Sequence, residues 1–174
     1  MSRLDGQRAL VTGASRGIGR AIAERLAAEG ATVGINDVEA DRAEQTAAEL
    51  REGGLDAFAA PADVTDLEAA QSMVDDVIER EGAVDVMVSN AGWLYVSLFK
   101  DLDPDQWEPI IQLNYVGHLN CTKAVVDHMI ERKSGTIVGI SSGAGRVGTT
   151  GQAVYAGAKA GVIGFLKSMA REVA

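Results

Sequence analysis

Five short runs of nearly unbroken apolar residues punctuate the chain. They are Arg8 to Thr12 (RALVT), Thr32 to Asn36 (TVGIN), Ala57 to Ala60 (AFAA), Asp85 to Ser89 (DVMVS) and Thr136 to Ser141 (TIVGIS). Short runs without polar alternation are how strands buried on both faces read. Segments with helical period and high Ala, Glu and Arg content separate them, near 17–29, 40–52, 66–81, 105–132 and 153–172. Gly30, Gly53 and Gly82 fall just past three of these segments, where a left-handed cap favours glycine. Strict alternation of strand and helix predicts parallel strands joined by right-handed crossovers. The expected fold is α/β, a doubly wound parallel sheet in three α/β/α layers, forming a single domain over residues 1–174. Such sheets bind ligands beyond the carboxyl ends of their strands, where the strand order switches. The residues just after each strand are therefore the ones to search.

Composition narrows the functional classes. With 174 residues, 47% hydrophobic and 24% charged, the chain suits one soluble globular domain. A net charge of -9 argues against a nucleic-acid or anionic-membrane partner, which favours a basic patch. The single Cys121 excludes an internal disulfide and makes a reducing cytoplasm the expected location. No apolar run is long enough to span a membrane, and the polar start MSRLDGQR does not read as a signal peptide. His118 and His128 lack companion ligands at metal-binding spacing, so no metal is expected and both read as structural or surface residues.

The first strand runs into Thr12-Gly13-Ala14-Ser15-Arg16-Gly17-Ile18-Gly19 and then a helix. Gly13 lets the chain leave the strand sharply, Gly17 lets backbone approach a pyrophosphate, and Gly19 lets the helix pack closely on the sheet. The helix N-terminus offers free N–H groups and a positive dipole end to phosphates. The spacing is G-x-x-x-G-x-G rather than the commoner G-x-G-x-x-G, so its position between strand and helix carries the assignment. Asp37, ending the second strand, is placed to accept the ribose hydroxyls of NAD and to repel the 2′-phosphate of NADP. Arg16 is the opposing cue, and Asp37 weighs more because an acid in that pocket is a direct charge penalty. Asp63 and Val64 follow the third strand and suit an adenine ring. Thr65 or Asp66 caps the next helix. Asn90, Ala91 and Gly92 follow the fourth strand and leave room for a ribose.

A second constellation follows the fifth strand. Tyr155 lies thirteen residues after Ser142, and Lys159 four further on, so Tyr155 and Lys159 share one helix face. A lysine ammonium beside a phenol favours the phenolate and brings tyrosine toward general acid/base work. Ser142 is placed to hold a substrate oxygen beside Tyr155. Asn114 is a poor residue for the interior of the 105–132 helix and is read as an anchor for a water feeding protons to Lys159. Trp93, Leu94 and Tyr95 either line a substrate mouth or lie in a partly buried loop.

Together TGASRGIG at 12–19, Asp63-Val64, SNAG at 89–92, Asn114, Ser142 and YAGAK at 155–159 resemble the short-chain dehydrogenase/reductase family. The resemblance covers nearly the whole chain and is most similar to 3-oxoacyl reductase and 3-hydroxyacyl-CoA dehydrogenase members. It implies a Rossmann-type fold, an Asn114/Ser142/Tyr155/Lys159 tetrad and hydride transfer between NAD(P) and an alcohol, a ketone or an acyl thioester. It implies cofactor contacts from Gly13, Ser15, Arg16, Gly17, Ile18, Gly19, Asp37, Asp63, Val64, Asn90, Ala91, Gly92, Tyr155 and Lys159, with NAD expected over NADP. It also implies a homo-oligomer, tetramer or dimer. Ser89 stands where the family more often has Asn. The family normally continues past the helix of Tyr155 with further strands, so the expectation is a C-terminally truncated chain.

Overall fold

The computed structural model describes residues 2–174. Its strands are β1 (Arg8–Val11), β2 (Thr32–Ile35), β3 (Ala57–Ala59), β4 (Val86–Ser89) and β5 (Thr136–Gly139). All pair in parallel in the order β3-β2-β1-β4-β5. The order reverses between β1 and β4, where a doubly wound sheet opens its ligand crevice.

Both faces of the sheet are covered. Ala9 and Val11 of β1 pack with Ala23 and Ala27 of α1 (Gly17–Ala28) and Ala47 and Leu50 of α2 (Ala40–Glu52). Leu10 points the other way, joining Val74 and Val77 of α3 (Leu67–Glu81) and Cys121 and Val125 of α5 (Gly117–Arg132). Two buried faces explain why the strands read as continuous apolar runs. β5 is the exception. Among the described residues it pairs with β4 alone, and Thr136 and Val138 are exposed, contrary to the expectation of burial on both faces.

Strands β1, β2 and β3 end one residue earlier than expected. β5 ends two earlier and β4 starts one later. Asp66, not Thr65, caps α3, its carboxylate accepting from the Glu68 and Ala69 N–H groups at 2.8 and 3.2 Å. Gly82 takes the left-handed cap at φ 83°, whereas Gly53 stays at φ -75°.

The largest departure is the helix expected over 105–132. It divides into α4 (Pro104–Ile111), a wide π turn (Gln112–Val116) and α5. The amide of Asn114 donates to the Ile110 carbonyl at 2.9 Å, an acceptor four residues back that an α-helix assigns to a backbone N–H. That side-chain bond competes with the ladder and accompanies the wider turn. Helix α6 (Ala144–Val147), absent from the sequence reading, precedes α7 (Ala153–Glu172).

Candidate active site

An open cleft of about 950 Å³ lies beyond the carboxyl ends of the strands. Every residue expected to bind cofactor or to act in proton transfer lines it, except Ser15. The Ser15 hydroxyl is buried, and the Ser15 carbonyl accepts from Thr46 Oγ1 of α2 at 3.2 Å.

The glycine turn leaves the start of α1 open to the cleft. Gly17 adopts φ 57° with nothing near its Cβ position. At the start of α1 the Arg16 side chain makes no capping bond, and no acidic residue occupies the first turn. The free N–H groups and positive dipole end therefore remain available to an anion. Asn90 lines the cleft as well. It turns into the glycine loop, donating to the Thr12 carbonyl at 2.9 Å and the Gly13 carbonyl at 3.3 Å. Thr12 Oγ1 in turn accepts from the Asn90 and Ala91 N–H groups at 2.9 and 3.0 Å. These bonds lock the ends of β1 and β4 together at the switch point.

At the far end Asp37 is 8% exposed. Burial pushes its carboxyl up, but the Glu39 N–H and the Arg42 guanidinium outweigh this and hold it below the ordinary carboxylate range. Arg42 contacts it at 2.9 Å. Asp63 is exposed, and its carboxylate closes a local turn on the Thr65 N–H and hydroxyl at 2.9 and 2.7 Å. Val64 is buried, its carbonyl held by the Asn120 amide at 2.9 Å.

The proton-transfer candidates converge at the near end. Tyr155 is half-buried, with Lys159 Nζ 5.8 Å from its ring centroid. Lys159 is 3% exposed, and burial lowers its pKa to about 8. Its ammonium donates to the Ile140 carbonyl at 2.9 Å. The Ser141 hydroxyl donates to the Lys159 carbonyl at 2.8 Å, tying β5 to α7. The Ser142 oxygen accepts from the Ala144 N–H at 3.2 Å, which leaves its hydrogen available to donate into the cleft. The buried Asn114 gives both amide hydrogens away, to Trp93 and Ile110 carbonyls, and its Oδ1 has no partner. A Cβ at Gly92 would sit 2.8 Å from that Oδ1 and 3.4 Å from Lys159 Nζ. Glycine there keeps open the space that Asn114 and Lys159 share.

Sequence reasoning missed Asn36, Arg42, Pro109, Leu113 and Ile140, which also line the cleft. Asn36 carried a signal, being a polar residue at the end of an apolar run. It donates to the Ala60 and Ala62 carbonyls at 3.0 and 3.1 Å and braces the strand ends. Arg42 carried none, because only the turn after β2 brings it back to Asp37.

A parallel sheet of this order, with a glycine turn and helix N-terminus at its switch point, defines a dinucleotide-binding α/β protein. Residues 7–174 match the family model for short chain dehydrogenase, and the chain belongs to that family. It is 42% identical over 167 residues to the 3-oxoacyl-acyl-carrier-protein reductase of Staphylococcus aureus, spanning 95% of this chain and 68% of that protein. Identity to the Vibrio harveyi enzyme of the same name is 43% over 172 residues, or 98% of this chain and 69% of that one. Among solved structures, a gluconate 5-dehydrogenase from Burkholderia cenocepacia, in complex with NADP and tartrate, superposes with a TM-score of 0.94 at 36% identity. That match covers 98% of this chain and 67% of the other. The chain is thus a nicotinamide-dependent oxidoreductase of alcohol and keto groups, spanning about two thirds of the length of these relatives.

Proposed function

We propose that Tyr155 transfers the proton, and that Ser142, Lys159 and Asn114 complete the tetrad, in the interconversion of a secondary alcohol and a ketone. The observation that carries this reading is that all four line the same cleft as the glycine turn. The N-terminus of α1, with Gly13, Arg16, Gly17, Ile18 and Gly19, holds the diphosphate. Asp37 takes the adenosine ribose, and Ala91 and Gly92 leave room for the second. When bound, the nicotinamide accepts or supplies the hydride. The Ser142 hydroxyl donates to the substrate oxygen and fixes it beside Tyr155. The Tyr155 hydroxyl gives its proton to that oxygen in reduction and recovers it in oxidation. Lys159 offers positive charge beside the ring and favours the phenolate. Asn114 Oδ1, facing the space toward Lys159, anchors a water on the proton path.

The proposed substrate is a 3-oxoacyl or 3-hydroxyacyl thioester, in keeping with the names of the reductases this chain is similar to. NAD is the proposed cofactor, on the charge of Asp37. NADP is the second reading, favoured by Arg16 and Arg42 in the cleft and by the NADP bound to the gluconate 5-dehydrogenase. A cytoplasmic homo-oligomer remains the proposed state. Cys121 is buried with its thiol pushed up to about 12, which makes it unreactive.

Initial rates of NAD reduction with secondary alcohols and 3-hydroxyacyl thioesters test the activity. Tyr155→Phe should lower kcat by about a hundredfold or more while leaving NADH affinity in place. Turnover indifferent to that change would remove Tyr155 from the chemistry.

A further inference from the structure

The loop after β4 arches over the near end of the cleft and is fastened at two points to the elements that carry the tetrad. At one foot the Trp93 carbonyl accepts from the Asn114 amide at 2.6 Å. At the other, the Ser97 N–H donates to the Gly151 carbonyl at 3.0 Å, four residues before Tyr155. Between the feet the loop presents a stacked aromatic pair. The rings of Trp93 and Tyr95 are 6.1 Å apart at 28°, and the residues are 45% and 42% exposed. Trp93 and Leu94 line the cleft near Pro109 and Leu113.

Charge is distributed unevenly along the cleft. Its charged lining residues other than Lys159 are Arg16, Asp37, Arg42 and Asp63, all beyond β1, β2 and β3 at the cofactor end. Lys159 is buried and bonded to Ile140. Beside Ser142 and Tyr155 the cleft lining carries no charged side chain other than Lys159, and an anion brought there loses hydration without an exposed partner in that lining. A half-exposed aromatic pair gains by covering its faces with another flat apolar group.

We propose that Trp93 and Tyr95 are specificity-determining residues. Trp93, on the cleft wall, seats a flat, uncharged apolar group, of the aryl type, flanking the reacting carbon and disfavours a carboxylate there, and Tyr95 stacks on Trp93 and holds its ring in place. This rests on the proposed reaction at Tyr155, because Trp93 lines the same cleft as that residue. The two fastenings hold the seat in register with Asn114 and Tyr155.

Trp93 and Trp107 are the only two tryptophans, so a fluorotryptophan-labelled chain gives two fluorine resonances, assigned through Trp107→Phe. Acetophenone is expected to shift the Trp93 resonance saturably, and gluconate at equal concentration to leave it unmoved. Tyr95→Ala should weaken the acetophenone response at least about fivefold, and Tyr95→Phe should restore it, because the stacked ring is what holds Trp93. A response to acetophenone that does not saturate, an equal response to gluconate, or indifference to Tyr95→Ala each overturns the proposal. Tyr155→Phe keeps the acetophenone shift if the seat is real. Unchanged turnover in that variant counts against the proposed reaction and not against the seat.

Discussion

Burial shifts the titration of Lys159 and His118 far from their ordinary ranges. His118 lies on α5 and is 3% exposed, its Nε2 without a partner. Burial, and then the nearby Lys159 charge, lowers its pKa from 6.5 to about 4. The folded state thus favours the neutral ring. Above pH 6.5 the ring is neutral folded or unfolded; as pH falls from 6.5 through about 4 only the unfolded chain takes up the proton, a loss of stability of about 3 kcal/mol. Melting midpoints taken across that window should fall, and His118→Leu should flatten the slope. A slope unchanged by His118→Leu would assign the acid sensitivity elsewhere. Asp37 and Asp85, both held below 3.8, act in a separate window beneath that value. Lys159 works in the opposite range: with its folded pKa lowered to about 8, stability rises as pH climbs from there toward 10.5.

Between elements, one carboxylate fastens three of them at the end of the sheet away from the cleft. Asp85 is 6% exposed and precedes β4. It accepts from the Arg8 N–H of β1 at 2.9 Å, pairs with Arg8 Nε at 3.1 Å, and takes Arg132 at the end of α5 at 2.8 Å. Asp85→Ala removes a buried carboxylate from two partly exposed arginines and should destabilise the fold by about 2 kcal/mol. A urea titration reads this as a lower midpoint, with the catalytic end untouched. A loss below 1 kcal/mol would show that solvent replaces the carboxylate. The π turn at Asn114 is the counterpart at the working end. There a helix gives up regular bonding so that one amide can hold the Trp93 loop and its oxygen can face Lys159.

At the scale of the molecule, cofactor choice is a contest of charges that the fold assembles from separate segments. Asp37, Arg42 and Arg16 come from the end of β2, the start of α2 and the glycine turn. If Asp37 governs, NADH should raise the melting midpoint more than NADPH at equal concentration. Ligand at a hundred times its Kd contributes about 2.7 kcal/mol. Asp37→Ala should improve NADPH affinity about tenfold, through loss of one repulsion and release of Arg42 toward the 2′-phosphate. An unchanged preference would remove Asp37 as the discriminator.

Much of this is legible in the amino-acid sequence, because local chemistry decides it. Buried parallel strands need continuous apolar runs, a phosphate-binding turn needs glycine where φ is positive or the helix packs close, and a lysine four residues after a tyrosine shares its face. These requirements act within a few residues, so RALVTGASRGIG and YAGAK state them directly. What only the tertiary structure decided depends on atoms distant along the chain. Asn90 turns inward because the Thr12 and Gly13 carbonyls lie beside it, and the Ser15 carbonyl is taken by Thr46 of α2. The 105–132 helix breaks because Asn114 finds both Ile110 and Trp93, 21 residues back, within reach of one amide. Composition and period carry no record of such pairings. They arise when burial forces each polar group to find a partner, and the packed fold alone determines which one is near.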